Sequence, residues 1–305
     1  MPTPIPNCEM VTRLPRAVSC VLATLAIATS LGACGSSGGG SSTVAIAGPL
    51  ASAAYATSQT GGAHMALSGR IEATGLPSPV TISGSGFFNY SSHEGTLSMT
   101  LAGLPASAVT GSSTGIEEIF KGTDIYIGSS LFAGKLPAGA RWMKLDLARV
   151  GAAAGIDPTQ LLGGQSNPAQ FLEYLKASGG SVQTVGRDTV RGVPTIHYHG
   201  TIDAKKAARV FAEHAGKSSL RESFEKEVAK VGLTTIPVDV WVDSHRLVRR
   251  MQLSSRIPAG GQTASINMTI ELFGFGATPA VSAPSASETF DATSTALGGL
   301  GALSG

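Results

Sequence analysis

One cysteine of the sequence stands in a context that can carry chemistry. Cys34 follows Leu31, Gly32 and Ala33. An aliphatic residue and two small ones before a cysteine form the pattern of a bacterial lipobox. Small residues let a signal peptidase reach the backbone, and the thiol is the group to which diacylglycerol is attached. The alternative is an ordinary cleaved signal with a chance cysteine. The spacing predicts that Cys34 is lipid-modified and becomes the first residue of the mature chain.

The residues before this cysteine have the order of a signal peptide. Arg13 and Arg16 give a short positive start, and residues 17–33 carry no charge and end in small residues. This apolar stretch is at the short limit for a membrane span, whereas a positive start, an apolar middle and a small-residue end are typical of export signals. We therefore expect residues 1–33 to be a lipoprotein signal peptide.

A Gly/Ser run follows the lipobox at residues 35–42 and is typical of a flexible linker. We expect a tether over 34–60. The start codon stays open between Met1 and Met10. The other cysteines, Cys8 and Cys20, lie within the signal, so the mature domain can hold neither a disulfide framework nor a thiolate metal site. We expect no cofactor.

Two further groups of residues could do chemistry. Residues 111–115 match the G-x-S-x-G pattern around Ser113, but a nucleophile elbow joins a strand to a helix, and residues 116–121 alternate as a strand. We expect a polar turn there and no catalysis. His197 and His199 share one strand face and have a spacing that can bind zinc, with Asp203 or His245 as a third ligand. We expect two histidines on a wet face and no metal.

The two tryptophans are out of phase with their apolar neighbours. Trp142 and Trp241 alternate with apolar residues instead of sharing their face. One interpretation is packing under a loop or helix. The other is a rim at a cavity mouth or membrane surface, which suits an amphipathic ring.

Period-two alternation dominates the rest of the chain. Apolar and polar residues alternate in a pattern that puts one face of a sheet in the core and one in water. The segments with this pattern are 64–73, 81–90, 97–101, 116–121, 123–128, 141–147, 181–187, 192–202, 236–243, 247–254 and 264–272. Hairpin turns are expected at 243–245 and 260–261.

Helical patterns interrupt the strands. Helices are expected near residue 157 and over 168–178, 204–215 and 219–231, from N-cap residues followed by apolar stripes. Residues 277–305 are rich in Ala, Ser, Thr and Gly and are expected to be a disordered tail. A sheet of about eleven strands curls. The predicted fold is therefore α+β: a curved antiparallel half-barrel over 61–276, with a few α-helices covering its concave face.

The order of several motifs resembles a known family, the actinobacterial LppX/LprA/LprF/LprG lipoproteins, which are relatives of the LolA/LolB carriers. The resemblance covers roughly 60–275. The segments that carry it are 142–146, 190–198, 201–203, 238–243 and 246–250. It implies a half-barrel with an apolar cavity for the acyl chains of lipids or glycolipids. It also implies lipid transport or presentation in the cell envelope without catalysis.

The predicted function is a lipid-binding lipoprotein, anchored through Cys34 on the extracytoplasmic face of the cell membrane. We expect Val240, Ile266 and Met268 to line the cavity. The expected partners are lipids or glycolipids and the membrane, with a membrane lipid transporter as a further candidate, and the chain is expected to be a monomer. The formal net charge of +2 gives no basic face for nucleic acid. The alternative is a surface-anchored interaction or signalling module without a lipid ligand.

Overall fold

The fold is described from a computed structural model. It describes residues 48–104, 113–154, 182–209 and 232–303, apart from positions 75, 77, 133, 208, 233, 260 and 261. Within these ranges the chain forms a single open sheet accompanied by helices. Cys34 and most of the expected helices at 157, 168–178, 204–215 and 219–231 lie outside the described residues.

In the described ranges, twelve strands make up the sheet, three α-helices accompany it, and a helical turn follows Asp203. The strands are β1 (Gly62–Ala73), β2 (Val80–Asn89), β3 (Glu94–Ala102), β4 (Ser113–Lys121), β5 (Asp124–Ser129), β6 (Trp142–Asp146), β7 (Val182–Val190), β8 (Val193–Asp203), β9 (Thr235–Asp243), β10 (Val248–Ala259), β11 (Gln262–Phe273) and β12 (Thr289–Asp291). The helices are α1 (Gly48–Ser58), α2 (Leu147–Ala154) and α3 (Thr293–Leu303). All eleven strands expected from alternation are confirmed; the twelfth lies in the segment expected to be a tail.

The sheet joins two meanders along one central seam. Its strand order is β12-β6-β5-β4-β3-β2-β1-β11-β10-β9-β8-β7. All pairs are antiparallel except β12 with β6, and β1 pairs with β11 across the seam. The result is an open, curved sheet with free edges at β7 and β12, which confirms the expected half-barrel.

The apolar side chains of the strands share one face, which we call the inner face. Two core clusters lie on it. The first cluster includes Phe88, Phe120, Val240 and Leu272. The second cluster has a buried centre of five residues: Ile71, Val80, Ile82, Leu101 and Ala264. Register and alternation together therefore give a continuous apolar surface from β9 to β5.

Glycines permit close strand contact where β2 meets β3. A Cβ atom at Gly86 would collide with the carbonyl oxygen of Thr96 and lie 2.9 Å from Leu97 Cα. A Cβ at Gly95 would lie 2.7 Å from Phe88 Cδ2. These inner-face positions need glycine because a side chain would push the strands apart.

Helix α1 corrects the predicted extent of the tether. Leu50, Ala53 and Ala54 are buried in the first cluster, and the buried Thr57 accepts a hydrogen bond at Oγ1 from the Val248 amide at 2.9 Å. The β9–β10 register shifts between Val248 and Arg250, so Thr57 satisfies an amide at an irregular point of the ladder. Residues 48–58 were expected to be loose because small residues dominate them, but small residues let a helix pack closely.

The predicted disordered tail also differs from the structure. The Ala292 amide donates to the Lys144 carbonyl at 3.0 Å, and Thr293 Oγ1 accepts from the Asp146 amide at 3.0 Å. Lys121 Nζ donates to the Val281 carbonyl at 2.9 Å. The small-residue composition of 277–305 predicted disorder, but the contacts with β6 use backbone groups at its edge and need few large side chains.

Other local predictions hold. Asp203 Oδ1 accepts from the Lys206 amide at 2.9 Å, as expected of a helix N-cap. The expected hairpin turn at 243–245 is formed, with Asp243 Oδ1 accepting from the His245 amide at 2.8 Å. The turn at 260–261 lies outside the described residues.

We predict that Gly86→Ala destabilises the protein by about 1–3 kcal/mol, because the added methyl group has no room against β3. Gly115→Ala on β4 is the matched control, since nothing lies within 4 Å of its Cβ position, and it should change stability by less than about 0.5 kcal/mol. Urea unfolding of both variants measures the difference. Equal stabilities would mean that the close β2–β3 contact is not formed.

Candidate ligand-binding face

The second cluster is the part of the inner face that the described helices leave open. In the described part of the chain, α1 packs against β10, and α2 and α3 pack beside β5 and β6. Eight half-buried hydrophobic residues surround the buried centre of this cluster: Leu67, Ala73, Leu76, Met99, Leu104, Ile116, Ile266 and Met268. This arrangement offers an apolar surface of strand side chains on which an acyl chain can lie.

The three residues expected to line a cavity all lie on the inner face, but they do not meet at one place. Ile266 and Met268 sit two residues apart on β11 against the second cluster. Val240 is fully buried in the first cluster. Its neighbour across the ladder is Met251, which in turn faces Ile270 of β11. Ile266 and Met268 thus mark the open part of the face, and Val240 its packed part.

A carboxyl group interrupts the apolar inner face. Glu118 of β4 lies opposite Leu97 of β3 and Ile127 of β5, and both neighbours pack against the first cluster. Burial raises the pKa of Glu118 from 4.5 to about 7, and no ion pair or hydrogen bond from a described residue contributes. The side chain is therefore poised to gain or lose its proton near neutral pH.

Sequence reasoning missed Glu118 because the strand phase is ambiguous there. Ile116 and Ile119 have opposite parity, and Glu117 stands beside Glu118. Only the register with β3 shows that Ile116, Glu118 and Phe120 share the inner face.

Two hydroxyl groups on the inner side are also unpaired. Tyr90 Oη and Ser255 Oγ are buried without a hydrogen-bond partner among the described residues. Tyr90 packs against Phe88, with ring centroids 6.1 Å apart, and burial raises its pKa. Unpaired buried polar atoms are uncommon in folded proteins and call for a specific reason.

The outer face carries several polar side chains that pair with one another. His197 Nε2 and His199 Nδ1 both contact Asp239 Oδ1, at 2.8 and 2.9 Å. The structure thus confirms that the two histidines share a face and brings Asp239 to them, not Asp203 or His245. No group of three metal-ligating side chains is arranged for a metal in the described ranges. That no metal binds stays a prediction.

Trp241 is packed into this outer layer. Its ring stacks on His197 with centroids 4.2 Å apart, and its indole N–H donates to Asp188 Oδ2 at 2.8 Å. Hydrogen bonds from the Thr189 amide and the Trp241 indole hold the pKa of Asp188 below its usual range. Arg250 donates to Glu271 Oε1 at 2.7 Å. Trp241 is therefore packed, but against side chains of the neighbouring strands β7 and β8; packing under a loop or helix stays a prediction.

Trp142 lies on the outer face of β6. Its six-membered ring covers Gly128, where a Cβ would lie 3.0 Å from Cζ3. Together with Glu117 and Arg141 it lines a groove of about 500 Å³, and the lining also includes Met99 and Ile116 of the second cluster.

Ser113 begins β4, which runs to Lys121 and turns into β5. The strand is not followed by a helix, so the strand-to-helix geometry of a nucleophile elbow is missing at this point. The expectation that 116–121 form a strand is confirmed.

Sequence comparison gives a limited match. No family model matches the chain. The chain is 34% identical over 158 residues to an uncharacterised 31.2 kDa protein in the rplA-rplJ intergenic region of Streptomyces griseus. The match covers 50% of this chain and 48% of that protein, so it spans about half the length of the relative.

Solved structures match more of the chain. LprF from Mycobacterium bovis matches at 15% identity and a TM-score of 0.43, over 81% of this chain and 100% of that one. The Mycobacterium tuberculosis lipoprotein LppX matches at 13% identity and a TM-score of 0.41, over 79% and 100%. LprF and LppX, which belong to the lipoproteins that the sequence was expected to resemble, are thus among the structural matches. A LolA superfamily protein from Nitrosomonas europaea matches at 11% identity and a TM-score of 0.26, over 76% and 96%. At these identities the likeness concerns the fold.

Among the described residues, the helices are too short or too polar to cross a membrane.

We predict that Glu118→Gln raises the free energy of unfolding above that of the natural protein, and that this difference is larger at about pH 8 than at about pH 5. In the folded state the carboxyl keeps its proton up to a pKa of about 7, whereas the unfolded group ionises near 4.5. The stability of the natural protein therefore falls between these two values as pH rises, by up to about 3 kcal/mol. The glutamine has no proton to lose.

Thermal unfolding of both proteins across this pH range measures the effect. Glu117→Gln, at the exposed neighbouring position, is the control and should keep the pH dependence of the natural protein. If the melting temperatures of the natural protein and Glu118→Gln change in parallel with pH, then Glu118 is not buried as described.

Proposed function

We propose that this protein is a non-catalytic lipoprotein that binds the acyl chains of lipids or glycolipids on the inner face of its half-barrel. It would transport or present them in the cell envelope while anchored to the extracytoplasmic side of the cell membrane through Cys34. The observation that carries this proposal is the second cluster. Its eight half-buried hydrophobic side chains lie on or beside a curved sheet, and no residue of a described helix belongs to the cluster.

The physical chemistry of such a surface suits reversible lipid binding. Each methylene group moved out of water contributes about 0.8 kcal/mol, so a lipid with two long chains gains strongly when it binds from water. When the lipid comes from a bilayer instead of from water, the free-energy gain is close to zero, because its chains were already out of water. A lipid can therefore enter and leave the protein at a membrane without a large free-energy change.

The chemistry of the described residues also favours binding over catalysis. The paired polar groups, such as His197, His199 and Asp239, lie on the outer face. On the inner face, Glu118 has apolar neighbours across both ladders. A hydrolase would need a nucleophile and a base that converge on the bound lipid.

We predict that Met268→Trp lowers the affinity for a fluorescent acyl probe, because the larger ring fills space on the open part of the inner face. Asn267→Trp is the matched control: Asn267 is adjacent in sequence, exposed and on the outer face. The control should bind the probe like the natural protein. Fluorescence titration measures both affinities, and circular dichroism checks that the sheet is kept. No probe binding by any of the proteins would favour the interaction-module alternative.

We predict that Cys34→Ala moves the protein from the membrane fraction to the soluble fraction, because the acylated thiol is the proposed anchor. Membrane fractionation with metabolic labelling by a fatty acid measures both the location and the modification. A variant that stays in the membrane fraction would contradict the lipobox interpretation.

A further inference from the structure

Among the described residues, Glu118 has no hydrogen-bond or ion-pair partner that could keep it charged. Its neighbours across the two ladders are Leu97 and Ile127. Along its own strand, the side chains on the same face are Ile116 and Phe120. An ionised carboxyl in such surroundings is costly unless another group compensates its charge. Glu118 is half-buried, so water compensates its charge only in part, and a proton or a ligand would supply the rest.

The charged groups near Glu118 face the other way. On β4, Glu117 and Lys121 have outer-face parity, and Lys121 pairs with Glu94 at 2.9 Å. On β5 and β6, Asp124 and Lys144 pair with each other at 2.9 Å. The inner-face neighbours on these strands have no titratable side chain: Gly95, Leu97 and Met99 on β3, Ile125, Ile127 and Ser129 on β5, and Met143 and Leu145 on β6.

A protonated carboxyl has something to offer a lipid. It carries one O–H donor as well as acceptor oxygens. A lipid bound by its acyl chains brings carbonyl oxygens where the chains join the head group, and hydroxyl oxygens in a glycolipid head. These are acceptors that lose water when the chains are buried, and an unpaired buried acceptor is costly. The donor on the protein and the acceptor on the ligand therefore complement each other.

We propose that Glu118, as the neutral acid, donates a hydrogen bond to an ester carbonyl or hydroxyl oxygen of the bound lipid, and that ionisation of Glu118 weakens lipid binding. The ligand class is thus an uncharged ester or hydroxyl-bearing lipid. This inference rests on the proposed lipid-binding function and adds a residue, an atom type and a pH dependence to it.

The test uses the mature chain, residues 34–305, with Cys34→Ser to prevent acylation, and a fluorescent diacylglycerol as the probe. We expect the Kd of this protein to rise by up to about tenfold from about pH 6 to about pH 8, because each pH unit above the pKa of a required proton changes binding tenfold. Glu118→Gln, which keeps a donor and cannot ionise, should bind with the same Kd at both values. Glu117→Gln should follow the parent protein.

A second comparison separates a ligand contact from a merely structural role. For each protein we compare the Kd for the diacylglycerol with the Kd for an oxygen-free alkyl probe. The preference for the diacylglycerol should be about three- to tenfold stronger in the parent at about pH 6 and in Glu118→Gln than in Glu118→Leu, as expected for one hydrogen bond. Melting curves show that each variant is folded. If Glu118→Gln does not fold, Glu118→Leu supplies the pH-independent variant.

The outcomes distinguish the two levels of the proposal. If none of the proteins binds either probe at any pH, the proposed function fails. If the probes bind but the parent and Glu118→Gln share one pH profile, or Glu118→Leu keeps the preference for the ester, the inference about Glu118 is wrong. Binding of the parent that tightens as pH rises would also overturn it, because an ionised carboxylate would then be the binding form.

Discussion

A single sheet with one apolar face must find something to cover that face, and this constraint governs the rest of the structure. The twelve strands pair edge to edge, and no second sheet is stacked on them in the described part of the chain. Helix α1 covers part of the inner face through Leu50, Ala53 and Ala54. The second cluster has half-buried hydrophobic side chains beside its buried centre. An acyl chain is the kind of group that could complete its burial.

The sheet has an apolar inner face and a polar outer face, and both its curvature and the pairing of its polar side chains reflect this difference. Gly86 and Gly95 allow β2 and β3 to approach closely on the inner side, so that the sheet can curve around whatever it covers. On the outer side, Asp239 receives two histidines, and Glu271 receives Arg191 and Arg250. Hydrogen bonds from the two arginines outweigh the effect of burial and hold the pKa of Glu271 below its usual range. The carboxyl groups of Asp239 and Glu271 on the outer face are therefore paired, whereas Glu118 on the inner face has no partner among the described residues.

Much of the sheet could be predicted from the sequence because period-two alternation is a local signal. The eleven expected strands all occur, and the Asp203 cap and the turn at 243–245 were readable from residue types. Helix α1 and strand β12 could not be predicted this way, since Thr57 and Thr293 act through single hydrogen bonds to distant backbone amides. The face of Glu118 also depends on pairing between strands, which no local pattern specifies. Ile266 and Met268 were placed correctly on the inner face by alternation alone.

Native mass spectrometry of the mature chain, purified from cells without detergent, is the direct test of lipid binding by this protein. We expect a protein population that carries one bound lipid, whose mass and fragments identify an uncharged ester or hydroxyl-bearing molecule with acyl chains. Solvent extraction of the same sample should recover that lipid in proportion to the protein, and less of it from Met268→Trp. A population of the bare protein mass alone, with no lipid in the extract and none acquired on incubation with lipid vesicles, would contradict the account.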